Sequence, residues 1–326
     1  MSSPDDVTAG ELDRTSDRSS SDGFRDRLLS WSESEVFKGS ISLGPIVALL
    51  TFFYMVPVLI LLVYSIQTGN DLGGGFTLEH FARFIDLETL FAGNFGDLTY
   101  VGLLVRSLGI AVIVTLLSLI IAYPITYYLG QKAPERWKIM LVMLVIIPFW
   151  TSYLIRTYAW IPILSGNGFI NSALNAVGLP SVPLLYTPTG TVIGLVYVFV
   201  PFVILPMYAS MDSLDPSMIE AARDLGASRW SVFREVIFPL TLPGALAGAV
   251  FVFIKCAAAY VTPALLGGAS GRMYVQVIAN QFGSAFNWNF GAALSVILVV
   301  VILGSLWIAK RTGINLRESR GLGGDL

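Results

Sequence analysis

Six apolar runs, each long enough to cross a bilayer, alternate with polar segments along this chain. They are roughly Gly44 to Ile66, Ser107 to Leu129, Ile139 to Ile161, Gly190 to Ser210, Leu240 to Thr262 and Phe290 to Ala309. About 20 apolar residues wound as a helix cover the roughly 30 Å of hydrocarbon. In lipid a segment has to satisfy its own backbone hydrogen bonds, so each run is expected to be helical. The expected fold class is therefore an all-α integral membrane protein with six transmembrane helices. Composition agrees, since only 13% of residues are charged against about 25% in soluble domains.

The placement of Lys and Arg orients such a chain. Of the 20 basic residues, only Arg83, Arg106 and Arg272 fall in the segments 67–106, 164–189 and 263–289, with Arg156 near that border. Most of the rest lie in the leader, near Lys132, around Glu220 and after Ala309. An even number of spans puts both termini on that basic, cytoplasmic side. Trp150, Tyr153, Tyr158, Trp160 and Trp288 cluster toward the opposite face and fit an interfacial aromatic belt.

Three regions follow. Residues 1–43 are rich in Ser, Asp and Arg, and are expected to form a disordered cytoplasmic extension, with a weak surface helix over 24–37. Residues 44–310 form the membrane domain, and 311–326 a cytoplasmic tail. Kinks are expected at Pro57, Pro124, Pro148, Pro201 and Pro206. After Gly166-Asn167-Gly168, a short amphipathic helix from Phe169 is expected to lie flat on the outer surface. The single cysteine, Cys256, excludes an internal disulfide. The glycine-rich 267–272 lacks the lysine of a phosphate loop.

Between the fourth and fifth runs lies a polar island, 211–239, containing E-A-A-R-D-L-G from Glu220 to Gly226. Asp215-Pro216 is a helix start: the carboxylate accepts from free amides, and proline suits the first turn. Met218, Ile219, Ala222 and Leu225 are apolar at helical spacing, and Gly226 suits the left-handed residue past a helix end. Ser228 is expected to cap a second helix, Trp230 to Ile237, before Pro239 opens the fifth span. The product is a short helix standing at the membrane surface. Ala221 and Ala222 allow close approach, and Glu220 and Arg223 meet polar groups.

The spacing of Glu220, Ala221, Ala222, Gly226 and Pro239 resembles the E-A-A loop of the membrane subunits of ATP-binding-cassette importers. Val236 and Phe238 stand where that pattern prefers Ile and Leu. Ile147 to Tyr158, Gly194 to Tyr197 with Pro201-Phe202, and Tyr260 to Gly268 look like the permeases of spermidine/putrescine-type importers, and the likeness covers roughly 46–311. It implies the type I (MetI-like) importer permease fold in a prokaryotic cell membrane. It also implies pairing with a second permease as a heterodimer, two cytoplasmic ATP-binding cassette subunits docked on the loops, and an extracytoplasmic solute-binding protein. Docking would fall to Glu220, Ala221, Ala222, Arg223 and Gly226. ATP and Mg would be used by the partner ATPase, with no cofactor in this chain, and nothing points to nucleic acid.

No catalytic constellation or metal-ligand cluster is visible, and the sole histidine, His80, lies in an outer loop. The chain is therefore expected to be non-catalytic. None of the six runs contains Asp or Glu, whereas Lys255 lies inside the fifth and Arg156 near the outer end of the third. An unpaired mid-membrane charge costs about 2.5–3.5 kcal/mol on insertion scales. Lys255 either lines the solute path or ties helices through backbone carbonyls. Phe149, Trp150 and Tyr153 join Arg156 and Lys255 as candidate path residues, their faces suited to cations. Resemblance favours a polyamine, while the two cations favour an anionic or neutral solute. An ATP-independent secondary transporter usually needs an inverted repeat or coupling-ion carboxylates, and neither is seen.

Overall fold

The computed structural model describes residues 35–69, 75–85 and 99–318. The chain divides into two units, 1–63 and 64–326. The described part of the first unit belongs to helix α1, Glu35–Ile66, whose side chains from Ile46 to Val63 are largely exposed and apolar. The helix starts at Glu35 and not at Gly44, so the expected disordered extension does not reach residue 43. Residues 1–34, with most of the weak surface helix, lie outside the described residues.

Along the second unit run α2 Glu79–Ile85, α3 Thr99–Tyr127, α4 Glu135–Ile146, α5 Tyr153–Tyr158, α6 Trp160–Leu164 and α7 Phe169–Ala176. There follow α8 Pro188–Asp212, α9 Pro216–Asp224, α10 Arg229–Val232, α11 Phe238–Ala257, α12 Val261–Leu266, α13 Tyr274–Phe282 and α14 Trp288–Glu318. Wider turns extend α3 through Lys132 and join α10 to α11 through Phe233–Ile237. Among the described residues five helices are long and apolar enough to span a membrane, and the bent pair Glu135–Trp150 and Tyr153–Ala176 brings the number to six when counted as one span. The last helix continues past Ala309 to Glu318, into the expected tail, and residues 319–326 lie outside the described residues.

The third apolar run departs most from expectation. It is not one rod from Ile139 to Ile161. The helix tightens at Ile147–Trp150 around Pro148, opens at Thr151 and Ser152, and resumes at α5 after a bend of 94°. Proline removes a backbone donor and crowds the preceding turn, which accounts for the break. Pro57, Pro124, Pro201 and Pro206 sit within continuous helices. The fifth run is also shorter than expected. The helix ends at Ala257, and the chain is irregular through Tyr260 before α12.

The core joins α3, α8 and α11, with Val114, Leu195, Val203, Met207, Val252 and Cys256 buried together. Two glycines explain the close fit of α8 and α11. A Cβ on Gly248 would come within 2.8 Å of the Val203 Cα, and one on Gly244 would collide with the Pro206 carbonyl and the Ser210 side chain. Small residues four apart let helix backbones approach within lipid, where packing and not water exclusion holds helices together. These pairs also fix α8 and α11 as antiparallel. At the end remote from the 211–239 hairpin, fully buried Asn171 staples the 165–182 loop, its amide donating to the Ser165 and Val182 carbonyls and its oxygen accepting from Val182 N at 2.8 Å.

Candidate functional site

The hairpin folds as its residues dictate. The Asp215 carboxylate accepts from Ser217 N at 2.9 Å, Pro216 occupies the first turn of α9, and Gly226 takes φ of 84° just past its end. Ser228 Oγ accepts from Ser231 N at 3.2 Å and caps α10 as expected, the helix itself starting at Arg229, one residue before Trp230. Ser217 holds the Asp215 carboxyl below the usual carboxylate range, first through its backbone amide and then through its side chain.

Tertiary packing decides which face is offered. Ile219, Val232, Ile237 and Met211 are buried together against Tyr123 and Tyr127 of α3, with Ala222 half-buried on the cluster. Phe238, one of the two departures from the E-A-A pattern, stacks on Tyr123 with ring centroids 5.9 Å apart. Gln131 Nε2 donates to the Met211 carbonyl at 2.9 Å, and Lys138 Nζ reaches Asp212 at 3.3 Å. The hairpin is thus packed onto the ends of α3, α8 and α11. Glu220, Ala221, Arg223 and Gly226 remain exposed. Leu225, expected on the inward stripe with Ile219, is instead 89% exposed. It caps the helix where the backbone swings toward Gly226, which carries its side chain away from the core. Met218, Ala221 and Leu225 therefore form an outward face that sequence periodicity alone did not separate from the buried one.

The second cluster lies at the two breaks. The Phe149 and Phe202 rings meet edge to face at 4.7 Å, and Phe202 lies 5.0 Å from Phe251. Arg156 sits over Phe149 at 5.5 Å, and Lys255 over Phe251 at 5.6 Å. An aromatic column drawn from three spans is thus closed at each end by a cation. Tyr153 OH and Thr262 Oγ1, 2.7 Å apart, tie α5 to α12, so the half-helices beyond the two breaks are joined. Irregular backbone at membrane depth is tolerated where it is buried in protein or lines a water-filled cavity, and discontinuous helices build the solute sites of many transporters.

Depth follows from helix geometry. At 1.5 Å per residue, Phe202 is about 21 Å along α8 from Pro188 and about 15 Å from Asp212. Phe251 is level with it, and Lys255 is one turn nearer the Pro188 end. Beyond Lys255 the chain continues in that direction, since Leu266 of α12 packs at Gly190 and Gly194. Lys255 is therefore well inside the membrane-spanning layer although it occupies the last turn of α11. Its side chain is exposed, and among the described residues it forms no ion pair. The structure thus assembles Phe149, Tyr153, Arg156 and Lys255, but leaves out Trp150, which is 90% exposed and stands apart. Phe202 and Phe251 were not among the path residues expected from sequence. They sit in apolar runs where any phenylalanine passes for lipid-facing, and only the ring contacts single them out.

Two features thus stand out, a wedged surface helix and a cation-capped aromatic column at paired helix breaks. A profile of the family described as binding-protein-dependent transport system inner membrane component matches residues 36–310, and the chain belongs to that family. It is 37% identical over 274 residues to the spermidine/putrescine transport system permease protein PotB of Salmonella typhimurium strain LT2, covering 82% of this chain and 91% of that one. With PotB of Escherichia coli strain K12 the identity is 36% over 274 residues, covering 82% and 95%. A crystal structure of a bacterial ABC transporter that imports the acidic polysaccharide alginate matches with a TM-score of 0.60, covering 87% of this chain and 99% of that chain at 16% identity, a likeness of fold. The chain is a multi-pass inner-membrane protein, the permease subunit of an ATP-driven importer, and not itself an enzyme.

Proposed function

We propose that this chain forms half of the translocation pathway for a polyamine-type solute, with both termini and the 211–239 hairpin in the cytoplasm. Lys132, Arg223, Arg229 and Arg234 on the hairpin side support that orientation through the positive-inside rule. Two ATP-binding cassette subunits dock on the α9 helices of this chain and of a second permease, and an extracytoplasmic binding protein delivers the solute. ATP and Mg act in the partner ATPase. The observation that carries the reading is the wedged helix, which presents Ala221 and Leu225 outward beside Glu220 and Arg223 while Ile219 locks it to the spans. Movement of the ATPase subunits then rocks the spans between outward and inward openings. The solute class rests on likeness to the spermidine/putrescine permeases.

A second reading, an anionic or neutral solute, is favoured by Arg156 and Lys255, which already cover the aromatic faces that a polyamine would use. The test is ATP hydrolysis by the complete assembly in proteoliposomes. Hydrolysis is expected to rise with spermidine-loaded binding protein, and Glu220→Ala is expected to suppress the rise without affecting insertion. Uptake driven by an ion gradient with no ATP consumed overturns the proposal.

A further inference from the structure

Lys255 combines three properties that the transport cycle has to reconcile. It lies at about the depth of the aromatic column, well inside the layer. It is exposed on the surface of this chain, touching Phe251 and no carboxylate among the described residues. The apolar runs of this chain hold no Asp or Glu that could reach it. A lysine at that depth is costly when it faces hydrocarbon, so it faces protein or water. Arg156 repeats the theme at the other end of the column, with a buried Nε that has no hydrogen-bond partner among the described residues.

If the solute is a polyamine, these cations repel it, and the charge balance of the path has to be restored from elsewhere. Resting on the polyamine reading, we propose that Lys255 is a counter-ion at the interface with the second permease, pairing with a carboxylate that the facing subunit carries inside one of its spans. Three features fit that occupant. Lys255 sets one exposed positive charge beside the 43% exposed ring of Phe251, a surface that an acid complements. The neighbouring irregular segment, from Ala258 to Tyr260, breaks the span beside it. The Lys255 ammonium is mounted on a flexible stem that can exchange partners. A polyamine arriving at the column competes with Lys255 for the facing carboxylate, so the ion pair closes the path when empty and yields when the solute arrives. Lys255 is then a positioning and gating residue, with no chemistry of its own.

The experiment uses the complete importer, both permeases with the ATPase and the binding protein, in proteoliposomes, with spermidine uptake and co-purification of the two permeases as readouts. Lys255→Met is expected to lower uptake at least tenfold and to weaken co-purification of the two permeases, because it leaves a carboxylate unpaired in the facing subunit. Each Asp and Glu in the spans of the second permease is then changed to its amide in the Lys255→Met background. One of these changes is expected to restore permease co-purification and to raise basal, solute-independent ATP hydrolysis, because the gate is gone. The inference is overturned if Lys255→Met transports spermidine like the parent, or if no amide change rescues assembly. It is also overturned if the parent takes up an ω-amino carboxylate in place of spermidine and Lys255→Met raises KM for that solute alone, since Lys255 then binds the solute. A parent assembly in which no solute stimulates ATP hydrolysis fails at the earlier step, the importer reading itself.

Discussion

The hairpin and the aromatic column are built in opposite ways. The hairpin is contiguous: a cap, a helix, a left-handed glycine and a second cap follow one another between Asp215 and Ser228, and each acts on its near neighbours. The column draws Phe149, Phe202 and Phe251 from three separate spans, and its geometry depends on two interruptions that local rules place only loosely. A surface that receives a partner can be encoded locally because its requirement is shape and rigidity. A path through the membrane has to be shared among helices, so no single stretch of chain carries its signature.

Four changes test that contrast, in order of expected effect. Ala221→Trp places a large side chain on the outward face of α9 and leaves the Ile219 cluster untouched. Loss of a central docking contact is expected to cost about 2–4 kcal/mol, read as loss of ATPase co-purification with normal membrane insertion. Retained co-purification would move the docking surface away from α9. Gly248→Leu forces a side chain against Val203, 2.8 Å from where its Cβ would stand. Overpacking of this kind costs about 1–3 kcal/mol, read as a lower unfolding temperature of the detergent-purified chain. An unchanged transition would mean that α8 and α11 separate more readily than their packing implies.

Smaller effects sharpen the comparison. Tyr153→Phe removes the hydroxyl that joins α5 to α12. A net loss of about 1 kcal/mol is expected, visible as faster hydrogen exchange in 153–158 and 261–266 with little change in the hairpin. Asp215 gives the smallest effect. Its folded carboxyl is held below the usual range, so its cap is fully formed above that range and is lost only as pH falls through the depressed value. The protection of the Ser217 amide, its exchange rate relative to the unstructured rate at the same pH, is therefore expected to be flat near neutral pH and to fall in acid, and Asp215→Ala is expected to show the lowered protection throughout. A neutral-pH dependence would point to a different titrating group.

The length and spacing of apolar runs were enough to fix an all-helical membrane chain, because lipid leaves the backbone no other way to satisfy itself. Local residues likewise fix the ends of α9 and the start of α10, because Asp215, Pro216, Gly226 and Ser228 act over two or three residues. Only tertiary structure decided that Ile219 turns inward while Leu225 turns out, that Pro148 breaks a span while Pro201 and Pro206 do not, and that Phe202 and Phe251 complete a column with Phe149. Helical periodicity assigns a residue to a face but does not say what meets that face, and in a chain this apolar almost every face is a candidate for burial. The glycines at 244 and 248, the Tyr153 to Thr262 contact and the cations at either end of the rings acquire meaning only once the spans are brought together.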